Sequence, residues 1–82
     1  MWKNLEYRVC AVQNARVTFV NNDWQGRVEP AEGNHDEALN SCPQVWDYLN
    51  EQGRYGWELA AVAPQNIGEV AMQTLYLKRE AP

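Results

Sequence analysis

Three consecutive residues, His35-Asp36-Glu37, are the one cluster in this chain with the donor types of a metal or acid–base site. One imidazole and two carboxylates could supply part of a divalent-ion shell. Adjacent residues rarely converge on one ion without a dedicated loop, and the chain has a single histidine. A solvated acidic loop is therefore the expected reading, and no metal site is assigned. Cys42 is the second chemical candidate. At the start of a predicted helix its thiolate would be favoured, and His35 would be the nearest base. No third orienting group accompanies the pair. The sequence also lacks a phosphate-cradling glycine loop, a G-x-S-x-G elbow and an H-E-x-x-H pair. No catalytic residue and no cofactor is expected, and the chain does not read as an enzyme.

The two cysteines, Cys10 and Cys42, have no C-x-x-C spacing, and the start of the sequence carries no secretion signal. Two free thiols in a reducing cytoplasm are expected. Seven Lys and Arg against eleven Asp and Glu give a net charge of −4, and the pI is near 4.8. The basic residues are dispersed along the chain, so a nucleic-acid partner is not expected. No apolar run approaches the ~18–20 residues that cross a bilayer, and no membrane role is expected. The aromatic content is unusual: four Trp, four Tyr and one Phe in 82 residues. A single domain of this size buries only roughly 60–65% of its unfolded surface, which leaves a thin core.

The elements that must position these residues follow from periodicity. Leu5 to Val12 alternates, with Leu5, Tyr7, Val9 and Ala11 as the apolar parity, which predicts a strand with its odd face on a core. Arg16 to Val20 is β-branched and aromatic and reads as a second strand. Asn21-Asn22-Asp23 is a turn signal, followed by a short run from Trp24 to Val28. Residues 29 to 42 read as a loop, the segment expected to be mobile or to bind something, within a loop-rich insert at about 21–40. Ser41 with Gln44 fits a capping box and Pro43 suits a first turn, so a helix is expected from Ser41. Its apolar stripe is Val45, Trp46 and Leu49, and Gly53 is placed to close it. Trp57 to Ala63 reads as a strand with Trp57, Leu59, Ala61 and Ala63 on one face, and Val70 to Arg79 as the last strand.

These elements imply an α+β domain: an antiparallel sheet of about four strands, in the order β-β-α-β-β, with one helix on one face. The last strand is apolar on both faces, whereas a half-solvated sheet should alternate. Either the 24–40 segment or a second subunit must cover the other side, and a homodimer is the expected solution.

Gly53-Arg54-Tyr55-Gly56-Trp57-Glu58-Leu59, with Tyr76-Leu77-Lys78-Arg79 downstream, resembles a family of small bacterial and phage-borne domains of unknown function. Its signature is a W-E-Y opening, a central G-W-E-L and a closing Y-L-K-R. Leu5-Glu6-Tyr7 stands at the opening with Leu for Trp, and Tyr55 stands where the family commonly has Glu. The resemblance covers residues 4–12 and 41–79, with a longer insert at 13–40. It implies a compact α+β fold with one helix on an antiparallel sheet, and it implies no catalytic residues.

Tyr7, Trp46, Leu49, Gly53, Gly56, Trp57 and Leu59 are expected to hold the fold. Trp2, Trp24, Tyr48 and Tyr55 fall where packing does not require them. Trp24, Arg27, Tyr48 and Tyr55 are therefore the expected partner- or ligand-binding residues. The leading reading is a non-enzymatic, homodimeric protein-interaction module. The alternative is a small-molecule binder, for a planar ligand such as a nucleotide, using exposed aromatics and an Arg.

Overall fold

The computed structural model describes residues 4–67 and 70–81, with the side chains of 66, 67, 70 and 71 left aside. Trp2 lies outside the described residues. The elements are β1 (Leu5–Gln13), β2 (Arg16–Val20), β3 (Asp23–Trp24), α1 (His35–Asn40), α2 (Val45–Gly53), β4 (Glu58–Ile67) and β5 (Val70–Glu80). All strands join one antiparallel sheet in the order β3-β2-β1-β5-β4. The α+β class is as expected, with a short fifth strand and a second helix added.

Both hairpin turns of the β1–β3 meander use left-handed backbone. Asn14 (φ 51°) and Ala15 (φ 60°) turn β1 into β2, and Asn21 (φ 49°) and Asn22 (φ 70°) turn β2 into β3. Two successive positive φ values give the turn whose twist matches paired strands, and Asn tolerates that region. Opposite Ala11 and Val12 the register slips, so Thr18 is an extra residue in β2. Its hydroxyl donates to the Ala11 carbonyl at 3.2 Å.

α2 begins at Val45 rather than Ser41, and the two helices divide what was expected to be one start signal. Ser41 ends α1: its hydroxyl donates to the Ala38 carbonyl at 2.6 Å and accepts from the Val28 amide at 3.2 Å. The Pro43 carbonyl and the Val45 amide instead bond to Val17 and Ala15, which pins the start of α2 to β2. The buried stripe of α2 is Val45, Tyr48, Leu49 and Gln52, at helical spacing. Tyr48 is 6% exposed and Trp46 is 66% exposed, reversing the expected placement of the pair. Tyr48 can enter because its hydroxyl finds a partner inside, accepting from Arg8 at 3.3 Å. Gly53 is the last residue of the helix, and the left-handed closure falls at Gly56 (φ 89°). The Gly56 amide donates to Gly53 and the Trp57 amide to Gln52.

The core lies between α2 and one face of the sheet: Cys10, Val12, Val17, Tyr48, Trp57, Leu75 and Leu77, with Val20, Val45 and Leu49 packed against it. The parity of β1 is therefore the reverse of the expected one. Its even residues meet the helix, and Leu5, Tyr7 and Val9 face outward. Tyr7, expected inside, is 58% exposed. Leu59, on the edge strand β4, is also exposed, because α2 is nine residues long and covers only part of the sheet.

The 29–42 segment, expected as a loop, contains α1 and a set of side-chain hydrogen bonds. α1 buries Ala38 and Leu39. Asn34 accepts from the Ala31 amide at 2.7 Å and donates to the Glu29 carbonyl at 3.0 Å. At Gly26 a Cβ would collide with Ser41 Oγ and lie 2.9 Å from Trp24 Nε1, so a side chain there would push the chain off the Ser41–Cys42 corner.

Candidate functional site

The even face of β1 carries Glu6, Arg8, Cys10 and Val12, and only the second half of that row is apolar. The polar half is satisfied by residues distant in sequence. Arg8 donates through Nη1 to the Tyr48 hydroxyl and to Gln52 Oε1. Glu6 accepts from Arg79, with Nε and Nη2 each at 3.1 Å. Arg79 also donates to the Tyr55 carbonyl at 3.1 Å. Both guanidinium groups lie on the indole of Trp57, with Arg8 Cζ 4.4 Å and Arg79 Cζ 4.5 Å from the ring centroid. Trp57 is 8% exposed and its Nε1 has no partner among the described residues. This cluster closes the sheet end of the core by cation–π contact.

The thiols belong to the packing. Both are free and buried. Burial pushes the Cys10 thiol up from its ordinary value, against opposing contributions from the Tyr48 hydrogen bond and the Arg8 charge. Tyr48 is likewise raised, first by burial and then by Cys10. Cys42 is raised by burial against the pull of Arg16, so the lowered thiol expected at a helix start is corrected. Cys42 instead lies just past the C-terminal end of α1, with Sγ donating to the Ala38 carbonyl at 3.6 Å. His35, Asp36 and Glu37 occupy successive positions of α1 and are exposed. Successive helical side chains fan out around the axis, and no three His, Cys, Asp or Glu residues gather at one point among the described residues.

The odd face of β1 is the opposite case. Leu5, Tyr7, Val9 and Ala11 share it with their cross-strand partners, including Tyr76 beside Val9 and Phe19 beside Ala11. Leu5, Tyr7, Val9, Phe19 and Tyr76 are all exposed. Trp24 stands beside Phe19, ring centroids 5.3 Å apart in an edge-to-face contact, and extends the row to β3. Glu58 opposite Lys78, and Glu80 opposite Leu5, bring charge to one end. The result is a row of exposed apolar side chains with a charged margin, where a half-solvated sheet would ordinarily carry polar residues.

The four expected binding residues do not converge. Trp24 is half-buried and donates from Nε1 to the Val28 carbonyl at 2.9 Å. Arg27 is exposed in the following turn, Tyr55 is exposed beyond α2, and Tyr48 is inside the core. Of the four, only Trp24 lies on the open face. The signal for that face was present as an alternation in β1, read with the wrong side inward. No helix among the described residues is long and apolar enough to cross a membrane. No family model matches the chain, and neither a curated protein nor a solved structure shows significant similarity to it.

Proposed function

We propose that this chain is a non-enzymatic protein-interaction module that pairs with a second copy of itself through the open face of its sheet. The observation that carries the reading is the inverted sheet: the face bearing Glu6 and Arg8 is covered, while the face bearing Leu5, Tyr7 and Val9 is left to solvent. Exposed apolar surface is stabilised by removal from water, at about 25 cal/mol per Å².

An isologous pairing places the same patch on both subunits, which suits a face with one apolar centre and a charged margin. The buried, free thiols fit a reducing cytoplasm.

Light scattering on the purified protein tests the reading. We expect twice the chain mass of 9.5 kDa for the wild type and the single-chain mass for Val9→Glu, with the circular dichroism spectrum unchanged. A single-chain mass for the wild type at the highest attainable concentration would overturn self-pairing.

A further inference from the structure

We infer that a cleft at the other end of the molecule, between the β1–β2 turn and the start of α2, binds a small planar anion of mononucleotide size. The cleft has a volume of about 500 Å³, within the range of roughly 300–1,000 Å³ typical of small-molecule sites. Its lining includes Arg16, Trp46, Asn14, Asn40, Gln44 and Val45. These residues come from both helices, a strand and a turn, and they lie apart from the apolar row of the open face.

Apart from Val45, these residues are not part of the core packing. Trp46 sits on a helix whose buried stripe runs through Val45, Tyr48 and Leu49, and its ring makes no aromatic or cationic contact among the described residues. A tryptophan left outward beside a cleft offers an indole face for stacking. Arg16 is half-buried and donates through Nη1 to the Cys42 carbonyl at 2.9 Å. That bond fixes the guanidinium, and no carboxylate pairs with it among the described residues. The side-chain amides of Asn14, Asn40 and Gln44 make no hydrogen bond among the described residues, and they supply both donors and acceptors.

Charge selects the ligand class. The chain carries eleven carboxylates, yet none lines this cleft. One fixed guanidinium, one indole and three amides match a planar heteroaromatic ring carrying one anionic group: the ring on Trp46, the anion on Arg16, and the ring edges on the amides. An apolar ligand would leave the guanidinium and amides unused. A cation would meet Arg16.

The test is a titration of the isotopically labelled full chain with AMP and with GMP, read by NMR at the Trp46 indole N–H and the Asn14, Asn40 and Gln44 side-chain amides. We expect saturable shifts at these groups at millimolar nucleotide or below, with adenosine alone and inorganic phosphate alone each binding at least about tenfold more weakly. Trp46→Ala should weaken AMP about tenfold through lost stacking, while its melting temperature stays near the wild-type value. Arg16→Gln should weaken AMP and leave adenosine unchanged, and Arg16→Lys should restore part of the AMP binding if the charge is the contact. No shift at Trp46 with either nucleotide at millimolar concentration, or shifts that persist unchanged in Trp46→Ala, would overturn the site. Light scattering on the same samples reads the pairing of subunits separately, so failure of the cleft leaves the open face to its own test.

Discussion

The two faces of β1 are built from the same nine residues, yet the molecule covers the face that hydropathy would leave out. Leu5, Tyr7, Val9 and Ala11 outrank Glu6, Arg8, Cys10 and Val12 in apolar area, and the second set meets α2. What decides the choice is polar satisfaction. On the covered side Arg8 finds Tyr48 and Gln52, Glu6 finds Arg79, and both cations find the Trp57 ring. A buried polar group costs most when it lacks a partner, and these groups keep partial exposure as well as partners. The small Cys10 and Val12 then let a short helix approach closely. On the open side the aromatics stand too proud for a nine-residue helix to cover. The pairing proposed above would set a second apolar sheet against them.

Neighbouring residues of β5 break or sharpen this contrast most strongly, because Leu77 and Tyr76 point to opposite faces. Leu77 is 1% exposed, and Leu77→Ala should cost about 3 kcal/mol of folding stability by chemical denaturation. Tyr76→Ala, measured under conditions that keep the chain monomeric, should cost well under half of that and should weaken pairing instead. Equal folding costs for the two would dissolve the distinction between the faces.

Arg8→Ala comes next. It removes one cation from Trp57 and leaves Tyr48 and Gln52 without their donor, for an expected loss of about 1–2 kcal/mol. A neutral result in urea unfolding would mean that the polar half of the covered face contributes nothing to the choice of face.

A gradual pH effect follows from the same face. Cys10 and Tyr48 are held protonated in the fold, with pKa values raised by burial above their ordinary 9.0 and 10.0. A raised pKa means that the folded chain holds the proton more tightly than the unfolded one. Their contribution is therefore fully present below the unfolded pKa and is lost as pH rises towards the folded value. The melting temperature should fall from about pH 9 upward on account of these two groups, and Cys10→Ala should flatten the first part of that decline. The smallest effect belongs to Glu6→Gln. The Glu6 and Arg79 side chains are 37% and 28% exposed, so the loss should stay within about 1 kcal/mol and shrink further in high salt.

Much of the fold was legible in the residues. The alternation of Leu5 to Val12, the Asn-rich turn, the helix expected from Ser41 and found over Val45–Gly53, and the long strand ending in Tyr76-Leu77-Lys78-Arg79 all depend on local pattern. The parity of β1 was not legible, because the groups that satisfy Glu6 and Arg8 come from residues 73 and 44 positions away. The exchange of Trp46 for Tyr48 in the buried stripe has the same origin, since a Tyr hydroxyl is acceptable inside only where a donor such as Arg8 waits. α1 is not legible in the sequence because six residues carry too little period, and its two buried positions, Ala38 and Leu39, make a weak stripe. The binding residues expected from unassigned aromatics scattered over three regions. The cleft of Arg16 and Trp46, by contrast, is assembled by the turn at Asn14-Ala15 meeting Gln44, a juxtaposition that no single segment announces.

Hydroxyl-radical footprinting across a dilution series tests most directly whether the open face is the covered one in solution. Tyr7 and Tyr76 on that face are compared with Tyr55, which is 64% exposed beyond α2. We expect Tyr7 and Tyr76 to be protected at high concentration and to gain reactivity together on dilution, while Tyr55 reacts equally throughout. Reactivity of Tyr7 and Tyr76 that matches Tyr55 at every concentration would contradict pairing through this face.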